Sequence, residues 1–101
     1  MSTATLNEYL NTSYEPDMEF VEGTLVERNV GTQLHSLFMS IVAVRLWENR
    51  QAYPVKVFTS TRLLVDALAC RYRVPDILVL NTPYKKAEVV LDVPAIVVEI
   101  I

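Results

Sequence analysis

The 101-residue chain lacks several things that small proteins use to build special sites. It contains one cysteine, Cys70, which excludes a disulfide framework and a thiolate zinc cluster. It has one histidine and two glycines, so there is no Gly-rich phosphate loop. No apolar run reaches the roughly 20 residues that a membrane helix needs. The N-terminal stretch MSTATLNEYL lacks the basic and apolar regions of a signal peptide. These absences predict a cytoplasmic protein and give little support to a small-molecule enzyme.

The composition is that of one folded domain covering residues 1–101. Hydrophobic residues make up 51% of the chain and charged residues 21%, which excludes a disordered segment. The net charge of −3 argues against a strong non-specific binder of nucleic acid. It does not exclude a nuclease, whose acidic site holds a metal ion. Two basic pairs, Arg71 with Arg73 and Lys85 with Lys86, are interpreted as solvated loops.

The first half of the chain predicts a hairpin and a long helix. MEFVEGTLVERNV alternates and is interrupted by Glu22-Gly23, which predicts strands near 18–22 and 24–29. A short helix is predicted within 2–14, because Leu6 and Leu10 are four residues apart. A longer helix is predicted over 32–50 with Thr32 as its N-cap. We expect its apolar stripe, at a period near 3.6, to lie on a sheet; it comprises positions 34, 37, 38, 41, 42 and 46.

The second half predicts strands. PVKVFTS, RLLVDA, DILVL after Pro75, and PAIVVEII are β-branched or apolar, whereas AEVVLDV fits a short strand or part of a long loop. The runs at 77–80 and 95–101 predict central strands that are covered on both faces. The fold class is therefore α+β, with a mixed sheet, an N-terminal hairpin and one long helix on one face. Because one helix covers one face, we expect a further segment or another subunit on the other.

Two carboxylates stand beside these apolar runs. Asp76 opens one strand and Glu99 comes near the end of the next, so antiparallel pairing would bring them together at one end of the sheet. Two adjacent carboxylates repel each other, and a divalent cation such as Mg²⁺ or Mn²⁺ relieves this repulsion. The simpler alternative is that Asp76 is a turn residue after Pro75 and that Glu99 points to water.

The whole chain resembles the Uma-two family of restriction-endonuclease-like proteins, which have the PD-(D/E)XK nuclease fold. The resemblance is carried by MEFVEGTLVE, GTQLHSLF, VKVF, RVPD and PAIVVEI, in this order. It implies that Asp76 and Glu99 are catalytic residues that bind Mg²⁺ or Mn²⁺, and that DNA is the substrate. It also implies possible accessory roles for Glu19 and Glu22, one of which could reach the site, and for His35. For His35, packing or capping near the helix start is the simpler interpretation, and for Glu22 a turn.

The chain departs from the family pattern at one position. The motif has a lysine two residues after the second acid, where this chain has Ile101. Family members take this lysine from a later helix, so the resemblance implies that the chain is truncated after the Glu of the motif. Lys56 lies on a predicted strand and is a conceivable substitute.

Two functions follow from this interpretation. The first is a divalent-metal-dependent DNA endonuclease of restriction-endonuclease type, impaired alone because the lysine segment is absent. The second is a non-catalytic module of the same fold that buries its apolar strands at 77–80 and 95–101 in a homo-oligomer.

Overall fold

In the computed structural model, residues 2–28 and 32–100 are described, and they form the predicted α+β fold. The strands pair antiparallel in two sheets, with orders β1-β3-β2-β6-β5 and β4-β7-β8, where a single mixed sheet was expected. In chain order the elements are β1 (Ser2–Thr3), α1 (Leu6–Leu10), β2 (Met18–Val21), β3 (Thr24–Glu27), α2 (Gln33–Glu48), β4 (Val55–Thr59), β5 (Leu63–Asp66), β6 (Arg71–Arg73), β7 (Ile77–Asn81) and β8 (Ile96–Val98).

The predicted hairpin is confirmed as β2 and β3. Glu22 and Gly23 form its two-residue turn with φ of 50° and 88°, the backbone angles that a tight hairpin requires. The five-stranded sheet packs its aromatic residues against α1, where the Tyr9 and Phe20 rings lie 5.0 Å apart. The Tyr9 hydroxyl donates a 2.8 Å hydrogen bond to the Met18 carbonyl, which joins α1 to the hairpin.

The prediction of a buried central strand is confirmed for β7. It pairs with β4 on one side and β8 on the other, and every residue from 74 to 80 is buried. The same prediction is wrong for β8, in which Ile96 and Val97 are 45% and 48% exposed. The described part of the chain gives β8 one neighbouring strand and no covering layer, so it forms a short edge. Ile101 lies outside the described residues.

The segment 87–93 is part of a long loop, and it helps to join the two sheets. Its Val90 forms a single parallel bridge with Leu63 of β5. Leu63 and Val90 then pack with Leu78 and Leu80 of β7 in one buried cluster. The five-stranded sheet therefore shares a core with the three-stranded one, and this shared core fixes the position of β7 relative to the hairpin.

Helix α2 begins where predicted, with the Thr32 hydroxyl accepting a hydrogen bond from the His35 amide at 3.2 Å. The predicted apolar stripe is wrong because it mixes two faces of the helix. Val42 and Leu46 are half-buried, whereas the other four positions are exposed; these are Leu34, Leu37, Phe38 and Ile41. The helix contacts β4 but has no fully buried residue. It is therefore apolar on both faces and covered on one.

The interpretation of Arg71 and Arg73 as part of a solvated loop is wrong. They lie on β6, a strand that the sequence analysis did not predict, between β2 and β5. Each pairs with an acid of the hairpin, Arg71 with Glu22 at 3.5 Å and Arg73 with Glu19 at 3.2 Å. Cross-strand ion pairs of this kind suit the polar side of an antiparallel sheet.

No helix in the described ranges is long and apolar enough to cross a membrane.

Candidate functional site

Asp76 and Glu99 lie side by side, as the sequence predicted. Strands β7 and β8 pair antiparallel with Ile77 opposite Val98, so the residue before one strand meets the residue after the other. Pro75 and Asp76 are buried directly before β7, and the Ile100 backbone amide donates a hydrogen bond to the Asp76 side chain. Local strand pairing alone therefore brings the two carboxylates to one end of the three-stranded sheet.

Asp76 is 3% exposed, and donors from three parts of the chain surround its carboxylate. The Arg28 guanidinium donates to Oδ1 at 2.8 Å from just beyond β3. Oδ2 lies 3.1 Å from Nε2 of His35 on α2 and accepts the Ile100 amide at 2.8 Å. Because an ionised carboxylate is an acceptor only, a hydrogen bond between these two atoms requires the proton on Nε2. A buried carboxylate with this many donors is held in one orientation.

These residues line an open cleft of about 300 Å³. The lining residues are Glu19, Glu27, Arg28, His35, Val74, Asp76, Glu99 and Ile100. Glu19 reaches the cleft from β2, where its Oε1 accepts from Arg73 at 3.2 Å and its Oε2 from the Val74 amide at 2.9 Å. The hairpin, the start of α2 and the β7–β8 pair thus each supply a wall.

The cleft carries more negative than positive charge around Glu99. Partial burial raises the pKa of the Glu99 carboxyl, and the nearby Asp76 and Glu19 carboxylates raise it further. Arg28 and His35 lower the same pKa without cancelling the rise. The cleft therefore disfavours a negative charge on Glu99 when no further cation is present.

The residues present fit a hydrated divalent cation better than a closed metal cage. Within residues 2–28 and 32–100, no group of three or more His, Cys, Asp or Glu side chains is arranged to hold a metal ion. Mg²⁺ does not require one, because it keeps several waters and is commonly bound through one or two carboxylates. Asp76 and Glu99 are such a pair, and Arg28 at Oδ1 would compete with the cation for one of them.

The structure separates the candidate accessory residues. Glu19 lies in the cleft, whereas Glu22 stays on the hairpin turn, exposed and paired with Arg71. The His35 side chain also faces the cleft and contacts Asp76, while its backbone amide donates to the Thr32 cap. The roles of these residues in binding or catalysis stay predictions.

The sequence analysis missed two charged residues of the cleft, and the lysine that it considered as a substitute lies elsewhere. Glu27 ends the second hairpin strand and Arg28 follows it, and the contact of Arg28 with Asp76 spans too much sequence for a local pattern to indicate it. Lys56 is opposite Leu80, at the end of β7 away from Asp76, and its Nζ lies 5.6 Å from the Trp47 ring. It does not line the cleft.

We expect Glu99→Gln to stabilise the protein at neutral pH and to leave it unchanged in acid. The pKa of folded Glu99 lies above its ordinary value of 4.5, so its favourable contribution is complete below pH 4.5 and is lost as the pH rises through the folded pKa. Urea unfolding of both proteins, at a pH below 4.5 and at pH 7, measures the difference. A wild type more stable than the variant at pH 7 would contradict this expectation.

Comparisons with known proteins place the fold. No protein-family model and no curated protein matches the chain. A crystal structure described as that of a "putative nuclease belonging to DUF820" from Anabaena variabilis does match, with a TM-score of 0.72 and 23% sequence identity. The match covers 90% of this chain and 54% of that one. The chain thus has the fold of that protein and spans about half of its length.

Proposed function

We propose that the cleft binds Mg²⁺ or Mn²⁺ through Asp76 and Glu99 and that the protein is a metal-dependent DNA endonuclease of restriction-endonuclease type. The observation that carries the proposal is the pairing of these two acids at one end of the β7–β8 ladder. The fold shared with a protein described as a putative nuclease supports it. So does the resemblance to the Uma-two family and its PD-(D/E)XK motif, which assigns metal binding to the same two acids.

Several residues of the cleft have a part in this proposal. The bound cation would supply an activated water and stabilise the charge that develops on the phosphate. His35 and the Ile100 amide hold Oδ2 of Asp76, which orients its carboxylate for the cation. Arg28 stands next to that carboxylate with a guanidinium that can donate to phosphate oxygens. Glu19 adds negative charge that favours cation binding.

The proposal includes slow cleavage by this chain alone. The family motif requires a lysine near the metal, and none of the described residues that line the cleft is a lysine. The lysine of the motif places a positive charge beside the reacting phosphate. Arg28 stands on the Asp76 side of the cleft and is the one arginine among the described lining residues.

A plasmid assay with a matched variant tests the proposal. We expect supercoiled DNA to be nicked with Mg²⁺ or Mn²⁺, not with EDTA, and not by Glu99→Gln. Glu88→Gln, on an exposed loop outside the cleft, serves as the control with unchanged activity. Thermal unfolding provides a second readout, because a cation that binds the folded protein raises its melting temperature. Mg²⁺ should raise that of the wild type and not of Glu99→Gln. Full cleavage by Glu99→Gln would refute the assignment of the site. The absence of both metal-dependent nicking and a rise in melting temperature with Mg²⁺ would refute the proposal.

A further inference from the structure

The strongest feature left unexplained is the outward face of α2. Leu34, Leu37, Ile41 and Val44 on this face are between 46% and 59% exposed. Phe38 and Trp47 flank them and are also exposed. The helix carries Arg45 and Glu48 as its charged residues, both near its C-terminal end. Its first three turns carry no Asp, Glu, Lys or Arg, and their exposed polar residues are Gln33, Ser36 and Ser40. A helix that is apolar on all sides is typical of one that is buried on all sides.

The whole chain exposes more area than a compact monomer of its mass would. The chain exposes 6981 Å², whereas a compact monomer of its mass exposes about 5,800 Å². The difference of about 1,200 Å² exceeds the roughly 800 Å² that each partner contributes to a standard interface, and falls in the range of obligate homodimers. The shape agrees, because the molecule is a slab with extents of 42 × 33 × 19 Å.

The spacing of the exposed residues indicates what covers them. Leu34, Leu37, Ile41 and Val44 are separated by three, four and three residues, the spacing of a coiled-coil seam. This spacing reads the same in both directions along the helix. An antiparallel copy of α2 related by a two-fold axis would therefore place Leu37 against Ile41 of the partner subunit, and Leu34 against Val44 of the partner subunit. Such self-complementarity is what a two-fold interface requires.

We propose that two copies of this chain associate through the outward faces of their α2 helices, packed antiparallel. This surface differs from the one that the sequence predicted, which comprised 77–80 and 95–101. The run 77–80 is buried inside the protomer by β4 and β8, whereas Ile96 and Val97 of β8 are about half exposed. The proposal does not depend on the proposed nuclease activity. The cleft opens where the hairpin meets the β7–β8 end, and the side chains of the seam are not among its lining residues.

The test measures mass in solution by light scattering over a wide range of concentrations. We expect the wild type to reach twice the chain mass of 11.5 kDa. Leu37→Glu should weaken association by roughly 100-fold, because each lost leucine contact is worth at least about tenfold and a dimer loses two. Leu68→Glu is the control and should leave the mass unchanged, since Leu68 is 99% exposed and lies on the turn before β6. Circular dichroism establishes that each variant is folded.

A mixing experiment tests the antiparallel register itself. Leu37→Glu and Ile41→Lys should each be monomeric alone, whereas an equal mixture should form a heterodimer. In that heterodimer the introduced acid of one chain faces the introduced base of the other, and the remaining leucine faces the remaining isoleucine. A wild type that stays at 11.5 kDa throughout would overturn the proposal. So would association that Leu37→Glu does not weaken, growth of mass without limit, or a mixture that remains monomeric.

Discussion

Asp76→Ala is expected to lower the free energy of unfolding by about 3 kcal/mol or more, because removing one partner of a buried ion pair leaves the other uncompensated. The substitution removes the acceptor of three hydrogen bonds at once. Arg28 is mostly buried and would keep its positive charge without the carboxylate beside it. For a domain of this size such a loss is a large share of the total stability.

Urea unfolding at neutral pH measures this loss, and a matched aspartate provides the control. Asp92 accepts one backbone hydrogen bond, from the Lys85 amide at 2.7 Å, so Asp92→Ala should cost about 1 kcal/mol. A double-mutant cycle with Arg28→Ala should give a coupling of about 1 kcal/mol or more between Arg28 and Asp76. A loss below about 1 kcal/mol for Asp76→Ala would mean that the three bonds are not formed in solution.

This expectation determines which variant can report on catalysis. Loss of cleavage in Asp76→Ala would follow from unfolding as well as from loss of a metal ligand. Glu99 is exposed and directly follows β8, so Glu99→Gln removes the charge without removing a buried partner. Activity should therefore be judged on Glu99→Gln, with Asp76→Ala reserved for stability.

Arg62→Ala is the second substitution with a large expected effect, about 3 kcal/mol of unfolding free energy, because it removes one partner of a largely buried ion pair. The guanidinium forms a two-point ion pair with Asp17 at 2.7 and 2.9 Å. It also donates to the carbonyls of Tyr9 and Thr12, each at 2.8 Å, and lies 4.0 Å from the centre of the Tyr9 ring. One side chain therefore fixes the end of α1 and the segment before β2 against the start of β5.

A comparison with Arg71→Ala distinguishes the effect of a buried ion pair from that of an exposed one. Arg71 pairs with Glu22 at 3.5 Å, and both side chains are about half exposed, so Arg71→Ala should cost less than about 0.5 kcal/mol. Arg62→Lys should recover little of the loss, because an ammonium group cannot reproduce a planar two-point contact. Chemical unfolding of the three variants measures this ranking. Equal effects for Arg62→Ala and Arg71→Ala would contradict it.

Local patterns predicted the parts of the fold that depend on neighbouring residues. The hairpin turn follows from Glu22-Gly23, the start of α2 from Thr32, and the buried centre of the sheet from the apolar run at 77–80. The adjacency of Asp76 and Glu99 followed from one assumption, antiparallel pairing of two strands, which is correct. Each of these inferences needed only the order of residues along one or two elements.

The remaining features depend on contacts that no single segment encodes. Arg28 and His35 reach Asp76 across 48 and 41 residues, respectively, and nothing beside them in the sequence indicates a carboxylate partner. Helix α2 misled the periodicity argument because apolar residues on both faces remove the contrast on which that argument relies. Strand β6 was missed because its exposed arginines, Arg71 and Arg73, alternate with one buried residue over only three positions.

The backbone segments that carry Asp76 and Glu99 differ in local stability. Asp76 belongs to a run in which every residue from 74 to 80 is buried, so its surroundings should open only when the whole domain unfolds. Glu99 follows a three-residue edge strand whose side chains are half exposed, so its surroundings should open at much lower cost. Backbone amides of β7 should therefore exchange slowly with solvent, whereas those of the adjacent β8 should exchange fast. Fraying of β8 would then change the distance between the two carboxylates. Any contact that stabilises β8 would also lengthen the time for which the cleft stays intact.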